Sequence, residues 1–341
     1  MRVLLVAQQL RRAAPGGIGT YLRGLVQGLE ALDDPPEVTL FGDRHALPGP
    51  LLTRAWDRGV LRAPRGFDLV HSPALATPAS PHAPLVVAVH DVAWRRVPES
   101  FPPRGRRWHE AALRRAVKRR ALLVTPSDET ADELVDAGAH PSAVHVLDPM
   151  YGCDHLPPAD TEGAAAVLAR CQVRGPYLLT VGTLEPRKNL PGLVQAFLRA
   201  RPSLPEPWPL VVVGPAGWGD GLEPAPGVVF TGPVPAPVLA GLYAGARCTA
   251  YVPLYEGFGL PAVESMAACA PVVASTGLPS VAGAALEVDP TDVGALAQAL
   301  VVAAGDDRRR AELVTAGLLR AADLTWAAAA RRHVELWERL A

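Results

Sequence analysis

Short β-branched runs alternate with longer helical patterns along this chain, and they do so in two successive series. Alternation of this kind builds βαβ units, whose parallel strands are covered on both faces and so read as near-continuous apolar runs. The first series of runs covers residues 3–7, 38–41, 69–71, 85–90, 122–126 and 144–147. The second begins again at 177–181 and continues at 210–214, 228–231, 249–253, 272–275 and 285–288. Helical patterns occupy most of the gaps, at 18–30, 106–120, 129–137, 190–199, 237–245, 260–268 and 293–304.

A chain of 341 residues exceeds what one hydrophobic core usually serves, and its apolar fraction of 49% is ample for two. Residues 148–161 are rich in Pro, Gly and Asp, lack periodicity and form the expected linker. The expected fold is α/β, with two Rossmann-like domains facing each other across a cleft. Ligands of open parallel sheets bind beyond the carboxyl ends of the strands, so two such sheets share one site. The pattern over 326–340 is an amphipathic helix, with Trp326, Val334, Trp337 and Leu340 as apolar contacts. It is expected to return to the N-terminal domain.

The balance of 33 basic and 34 acidic residues gives the whole chain no charge argument for nucleic acid. Cys153, Cys171, Cys248 and Cys269 have neither the spacing of a zinc site nor that of a disulfide framework, and are expected to be reduced. No metal site is expected, and no D-x-D triplet occurs. The first residues read as a strand rather than a signal peptide, and no apolar run reaches the length of a membrane span. A cytoplasmic location is expected, with the inner face of the membrane as a peripheral alternative. Only Lys118 and Lys188 among the basic residues are lysines.

The clearest constellation lies in YVPLYEGFGLPAVESMAAC. A strand ends near Glu256, a turn of Gly257, Phe258, Gly259 and Leu260 follows, and a helix begins. Glycines let the backbone approach a ligand, and a helix N-terminus offers N–H groups and positive dipole to a phosphate. Glu256 is placed to accept hydrogen bonds from sugar hydroxyls, and Glu264, eight positions on, from a vicinal diol such as a ribose. The same residues also fit a plain strand–turn–helix with a solvated glutamate. Upstream, YLLTVGTLEPRKNL puts Glu185, Arg187, Lys188 and Asn189 in a loop at a strand's carboxyl end. There the two cations are placed to neutralise phosphate, and Asn189 suits a helix N-cap. A solvated surface pair is the alternative.

The segments VGTLEPRKNL, VVFTGPV and YEGFGLPAVE resemble those of the family 4 glycosyltransferases of the GT-B fold, in matching order over nearly the whole chain. The Glu256 and Glu264 pair resembles that family's E-x7-E motif. The resemblance implies retaining transfer of a hexosyl group from a nucleoside-diphosphate sugar to a hydroxyl acceptor, without a metal or other cofactor. It places Glu264 on the ribose, Glu256 near the transferred sugar and Lys188 on the diphosphate. Residues 1–157 with 326–341 then form the acceptor-side domain, and 158–325 the nucleotide-sugar-binding domain. Where many members carry Arg after the strand-tip glycine, here Gly182, this chain has Thr183, which leaves open whether Arg187 supplies the second positive charge. The loop AAPGGIGTYLRGL resembles the glycine-rich first loop, which sets Gly16 and Gly17 opposite the diphosphate; taken alone, it fits an ordinary helix-entry turn equally well. His90 stands where the family has a histidine near the donor sugar, and Ser127 caps a helix. The base is read by backbone near Thr231 and Val234. The EPRKN form of the loop resembles mannosyl-transferring members, which favours GDP-mannose over a UDP-sugar.

The most charged stretch runs from Arg104 to Arg120. Its Trp108, Ala112, Leu113, Ala116 and Val117 form an apolar side, leaving basic residues elsewhere. Such a helix fits either peripheral contact with anionic lipid, at about 1 kcal/mol per basic residue near the surface, or packing on its own domain. The acceptor stays open between a lipid-linked molecule and a growing polysaccharide. Rival readings are a GT-B epimerase or phosphorylase, a sugar-nucleotide-binding protein without activity, and a nicotinamide-dependent oxidoreductase, whose dinucleotide fingerprint is lacking.

Overall fold

The computed structural model describes residues 1–12, 16–204, 208–218 and 225–341. Every strand expected from the sequence is present among them. The first six are β1 (Arg2–Val6), β2 (Glu37–Phe41), β3 (Leu69–Ser72), β4 (Leu85–Ala88), β5 (Leu122–Thr125) and β6 (Val144–Val146). The next six are β7 (Leu178–Val181), β8 (Leu210–Val213), β9 (Val228–Gly232), β10 (Cys248–Tyr251), β11 (Val272–Ser275) and β12 (Leu286–Val288). Contacts divide the chain into unit 1, Met1–His155 with Leu324–Ala341, and unit 2, Leu156–Asp323.

Unit 1 is built on an all-parallel sheet of order β2-β1-β3-β4-β5-β6. Its helices in chain order are α1 (Gly16–Glu30), α2 (Gly49–Asp57), α3 (Ala93–Arg96), α4 (Pro103–Lys118) and α5 (Asp128–Asp136). One core joins Leu4, Val70 and Val87 of the strands to Trp56 of α2 and to Ala112, Leu113 and Ala116 of α4. Unit 2 has a sheet of order β12-β11-β10-β7-β8-β9. It carries α6 (Thr161–Arg170), α7 (Leu190–Ala200), α8 (Ala236–Gly245), α9 (Leu260–Ala267), α10 (Val293–Gly305) and α11 (Asp307–Asp323). The last helix, α12 (Trp326–Glu338), belongs to unit 1.

Helix α12 lies against α1, and two helical glycines are the reason it fits. A Cβ on Gly24 would lie 2.0 Å from the Trp326 ring, and one on Gly28 2.1 Å from the Trp326 main-chain oxygen. The buried stripe is not the expected one. Trp326 and Trp337 are buried, but Val334 and Leu340 are only half-buried, and His333 and Leu336 take the inner positions. Burial of His333 is tolerated because both ring nitrogens have partners. Its Nδ1–H donates to Ala329 O at 2.7 Å, which leaves Nε2 to accept from the Tyr21 hydroxyl at 2.7 Å. Tyr21 in turn accepts from His71 Nε2 at 2.9 Å. One polar thread therefore ties α12 to α1 and β3.

The remaining departures have local causes. The expected linker ends at Asp160, whose carboxylate caps α6 by accepting from Gly163 N at 2.8 Å. Helices α2, α3, α6 and α11 lie outside the helical patterns named from the sequence. Pro48 and Pro50 make α2 read as a turn although proline also suits a first helical turn, and α6 is alanine-rich with few large apolar residues. In α11 only Leu313, Gly317 and Ala321 are buried, a stripe too thin to stand out from its charges. Helix α4 starts at Pro103 rather than residue 106. Its apolar side is spent inside unit 1, and two of its arginines turn inward as well. Arg115 donates to Asp57 at 2.6 Å, and Arg119 donates to the main-chain oxygens of Thr77 and Trp56. Arg104, Arg107, Arg114, Lys118 and Arg120 stay exposed.

Candidate active site

Strand order in unit 2 reverses between β7 and β10, which are neighbours in the sheet although two strands intervene in sequence. At such a switch point the loops leaving the two strands diverge and open a crevice at their carboxyl ends. The loop after β7 carries Gly182 to Asn189, and the loop after β10 carries Val252 to Gly259. A main-chain bond from Leu254 N to Arg187 O, 2.9 Å, joins the loops.

Arg187, Lys188 and Glu256 meet there. Glu256 Oε2 accepts from Arg187 Nη1 at 2.8 Å, from Tyr251 OH at 2.7 Å and from Lys188 Nζ. Lys188 also donates to Tyr251 OH at 2.7 Å, and Arg187 Nη2 donates to Glu185 Oε1 at 2.8 Å. Two carboxylates thus face two cations. Burial works against ionisation of Glu256, but Arg187 and Lys188 outweigh it and hold the carboxyl well below its usual range. Burial lowers Lys188 from its ordinary value, with Glu256 opposing and Arg187 reinforcing. Burial and the nearby Glu256 carboxylate push the Tyr251 phenol well up.

The structure adds a relation among the charged residues and corrects the reading of Asn189. Arg187 and Lys188 were expected to stand ready for phosphate and Glu256 for sugar hydroxyls; in the structure they satisfy one another. Asn189 occupies the N-cap position of α7, but in left-handed conformation (φ 56°), and its side chain does not cap. Its amide donates to Pro290 O at 2.7 Å instead, tying the loop to the segment before α10. Gly182 ends β7 beside the Lys188 stem, and Thr183 follows it.

Past Glu256, residues Gly257, Phe258 and Gly259 are buried and Leu260 half-buried. Gly259 precedes α9 with φ 103°, where a Cβ would also meet Leu278 at 2.8 Å and the Ser280 hydroxyl at 2.9 Å. Only glycine satisfies both constraints. No side chain caps α9, and the buried Ser280 hydroxyl next to Gly259 has no hydrogen-bond partner. Glu264 lies in the second turn of α9, buried, and accepts from Tyr243 OH of α8 at 2.9 Å. Thr231 donates its hydroxyl to Gly232 O at 2.7 Å, and Val234 packs against a core cluster of unit 2. Both side chains are thereby turned to the protein.

The other expected residues belong to unit 1. His90, just past β4, donates Nε2–H to Pro73 O at 2.7 Å and accepts at Nδ1 from Tyr151 OH at 2.5 Å. Its ring nitrogens are both engaged. Gly16 and Gly17 open α1, exposed, with Gly16 at φ 63° and open space around both; the preceding residues 13–15 lie outside the described residues. Ser127 caps α5, accepting from Thr130 N at 3.3 Å. Sequence reasoning missed Tyr251, Tyr243 and Tyr151. A tyrosine at the tip of an apolar strand, or in a helix apolar all round such as α8, needs a hydroxyl partner when buried, and that was the available signal.

Two α/β units, each on a six-stranded parallel sheet, are the architecture of the GT-B fold. The chain belongs to the glycosyl transferases group 1: residues 175–306 match that family, and residues 15–150 match Glycosyltransferase Family 4. It is 33% identical over 255 residues to O-antigen chain mannosyltransferase B of Escherichia coli, covering 71% of this chain and 66% of that protein. It is 30% identical over 321 residues to D-inositol 3-phosphate glycosyltransferase of Mycobacterium sp. (strain KMS), covering 83% and 67%. The chain thus spans about two thirds of the length of these curated relatives. Among solved structures, HepE of Anabaena in complex with UDP and glucose has a TM-score of 0.71 at 18% identity, with both chains fully covered. Sucrose-phosphate synthase of Thermosynechococcus elongatus has a TM-score of 0.73 at 19% identity, covering 99% and 98%.

Proposed function

We propose that this chain is a retaining glycosyltransferase that moves a hexosyl group from a nucleoside-diphosphate sugar to a hydroxyl acceptor without a metal. The observation that carries the reading is the meeting of Arg187, Lys188 and Glu256 at the switch point of unit 2, next to the uncapped start of α9 with Glu264 one turn inside. The cations and the helix N-terminus stabilise charge on the departing diphosphate. Glu264, held by Tyr243, takes the ribose hydroxyls. Glu256 is not assigned as a nucleophile: the acceptor hydroxyl attacks from the face the diphosphate leaves, the bond from the sugar's C1 to the phosphate oxygen breaks as the new one forms, and that phosphate oxygen takes the hydroxyl proton. The proposal of metal independence rests on the lack of a D-x-D triplet in the sequence.

GDP-mannose is the proposed donor, supported by the EPRKN loop and by the mannosyltransferase among the relatives; a UDP-sugar is the alternative, in line with the UDP bound to the Anabaena protein. The proposed acceptor is a lipid-linked molecule or a growing polysaccharide. No helix among the described residues is long and apolar enough to cross a membrane, so contact with the inner face of the membrane, if made, is proposed to be electrostatic, through Arg104, Arg107, Arg114 and Lys118. The test is calorimetry with a panel of nucleotide sugars, followed by transfer in excess chelator and determination of the product's anomeric configuration. Failure to bind any nucleotide sugar sinks the reading; an inverted product or loss of activity in chelator sinks retention or metal independence alone.

A further inference from the structure

We infer that Glu256 is the resident counter-anion of the phosphate subsite, occupying Lys188 and Arg187 until a diphosphate displaces it. The inference rests on the nucleotide-sugar reading above and deepens it.

The cluster holds two carboxylates, Glu185 and Glu256, and two cations, Arg187 and Lys188, so it carries no net charge to attract an anion. A single oxygen of Glu256 takes three donors, from Arg187, Lys188 and Tyr251. The two cations a phosphate would need are thus already paired with carboxylates. A diphosphate takes these cations only if Lys188 and Glu256 separate.

The two acids are not equivalent. Glu185 is the more enclosed, with 6% of its side chain exposed against 15% for Glu256, and it holds the far side of the Arg187 fork. Glu185 is therefore the fixed partner that keeps Arg187 aimed, and Glu256 the one that yields. A diphosphate replaces one carboxylate by a group of higher charge on the same cations, and the released Glu256 becomes an acceptor for hydroxyls of the transferred sugar. A nucleotide sugar offers both the displacing anion and the new partners. A nucleoside diphosphate offers only the first.

The consequence has an unusual sign. Glu256→Gln keeps the shape and removes the competing charge, so it should tighten GDP or UDP, whichever the wild type binds, by at least about fivefold while lowering turnover. Isothermal calorimetry of that nucleotide on wild type and variant reads the effect, with a thermal melt to confirm that the variant is folded. Unchanged or weaker binding overturns the inference. Should Glu256→Gln fail to fold, the wild-type chain solved with the nucleoside diphosphate decides: the carboxylate is expected out of hydrogen-bond reach of Lys188 Nζ, and a retained contact overturns the proposal. If Glu264→Ala weakens nucleotide binding while Glu256→Gln leaves it unaltered, the counter-anion role fails and the nucleotide-sugar reading stands. If the wild type binds no nucleotide or nucleotide sugar, both fail.

Discussion

Tyr243 donates its hydroxyl hydrogen to Glu264 Oε2 across 2.9 Å, joining α8 to α9 inside unit 2. Burial, with the adjacent Glu264 carboxylate, pushes the phenol well above its ordinary value, so it stays a donor throughout the neutral range. One carboxylate oxygen is fixed, and the direction of the other follows. Tyr243→Phe is expected to raise the donor KM by roughly fivefold, the worth of about 1 kcal/mol for one hydrogen bond, with kcat little changed. Glu264→Ala should weaken nucleotide binding further. Steady-state kinetics separate the outcomes, since a fall in kcat at constant KM would contradict a binding role.

Lys188→Ala should lower turnover by at least about tenfold, because it removes charge stabilisation that grows as the diphosphate departs. The comparison to make is single-turnover transfer at saturating donor. Full activity in this variant would move the leaving-group site elsewhere.

Gly24→Ala sets a methyl where the Trp326 ring now lies. Overfilling of this kind costs typically about 1–3 kcal/mol, so a fall of several degrees in the melting temperature is expected. Gly17→Ala, with open space around it, serves as the control, and equal melting temperatures for the two variants would show that α12 does not pack as described.

His333 makes stability depend on pH with a definite sign. Burial lowers it from 6.5 to about 4, and burial with His333 and His90 nearby lowers His71 well below its usual value. Between the two His333 values the unfolded chain binds a proton that the folded chain refuses, so stability is full above about pH 6.5 and declines as pH falls toward 4. For His333 alone the shift is worth roughly 3 kcal/mol. Denaturant titrations from pH 7 to 4 should show the slope, and His333→Phe should flatten it; an unchanged slope would locate the titrating group elsewhere.

Exposed arginines give a separate test of lipid contact. Changing Arg107, Arg114 and Lys118 together to Glu should abolish co-sedimentation with phosphatidylglycerol vesicles at low salt while leaving nucleotide binding intact, since all three belong to unit 1 and the charged cluster to unit 2. Equal sedimentation of wild type and variant would remove α4 from consideration.

The strands were readable because a parallel strand covered on both faces leaves an uninterrupted apolar run, as in Leu210–Val213. Helix α11 was not, since three small contacts among charges leave no strong period. At the site, the residues were readable from a family pattern, but their relations were not. Arg187 and Glu256 are separated by 69 positions, and nothing in either segment shows that the cations and the acid neutralise each other. Asn189 looked like a cap because local sequence cannot reveal that Pro290, 101 positions away, competes for its side chain. His333 was left out of the expected stripe because its partner Tyr21 is 312 positions away.

The return of α12 to α1 has a consequence for biosynthesis. Unit 2 is one continuous stretch, whereas unit 1 is made of two stretches that flank it. On a translating ribosome the second unit therefore has all its residues first, and the Trp326 face of α1 stays open to solvent and chaperones until residues 324–341 emerge. The usual order, in which the N-terminal domain completes itself first, is reversed.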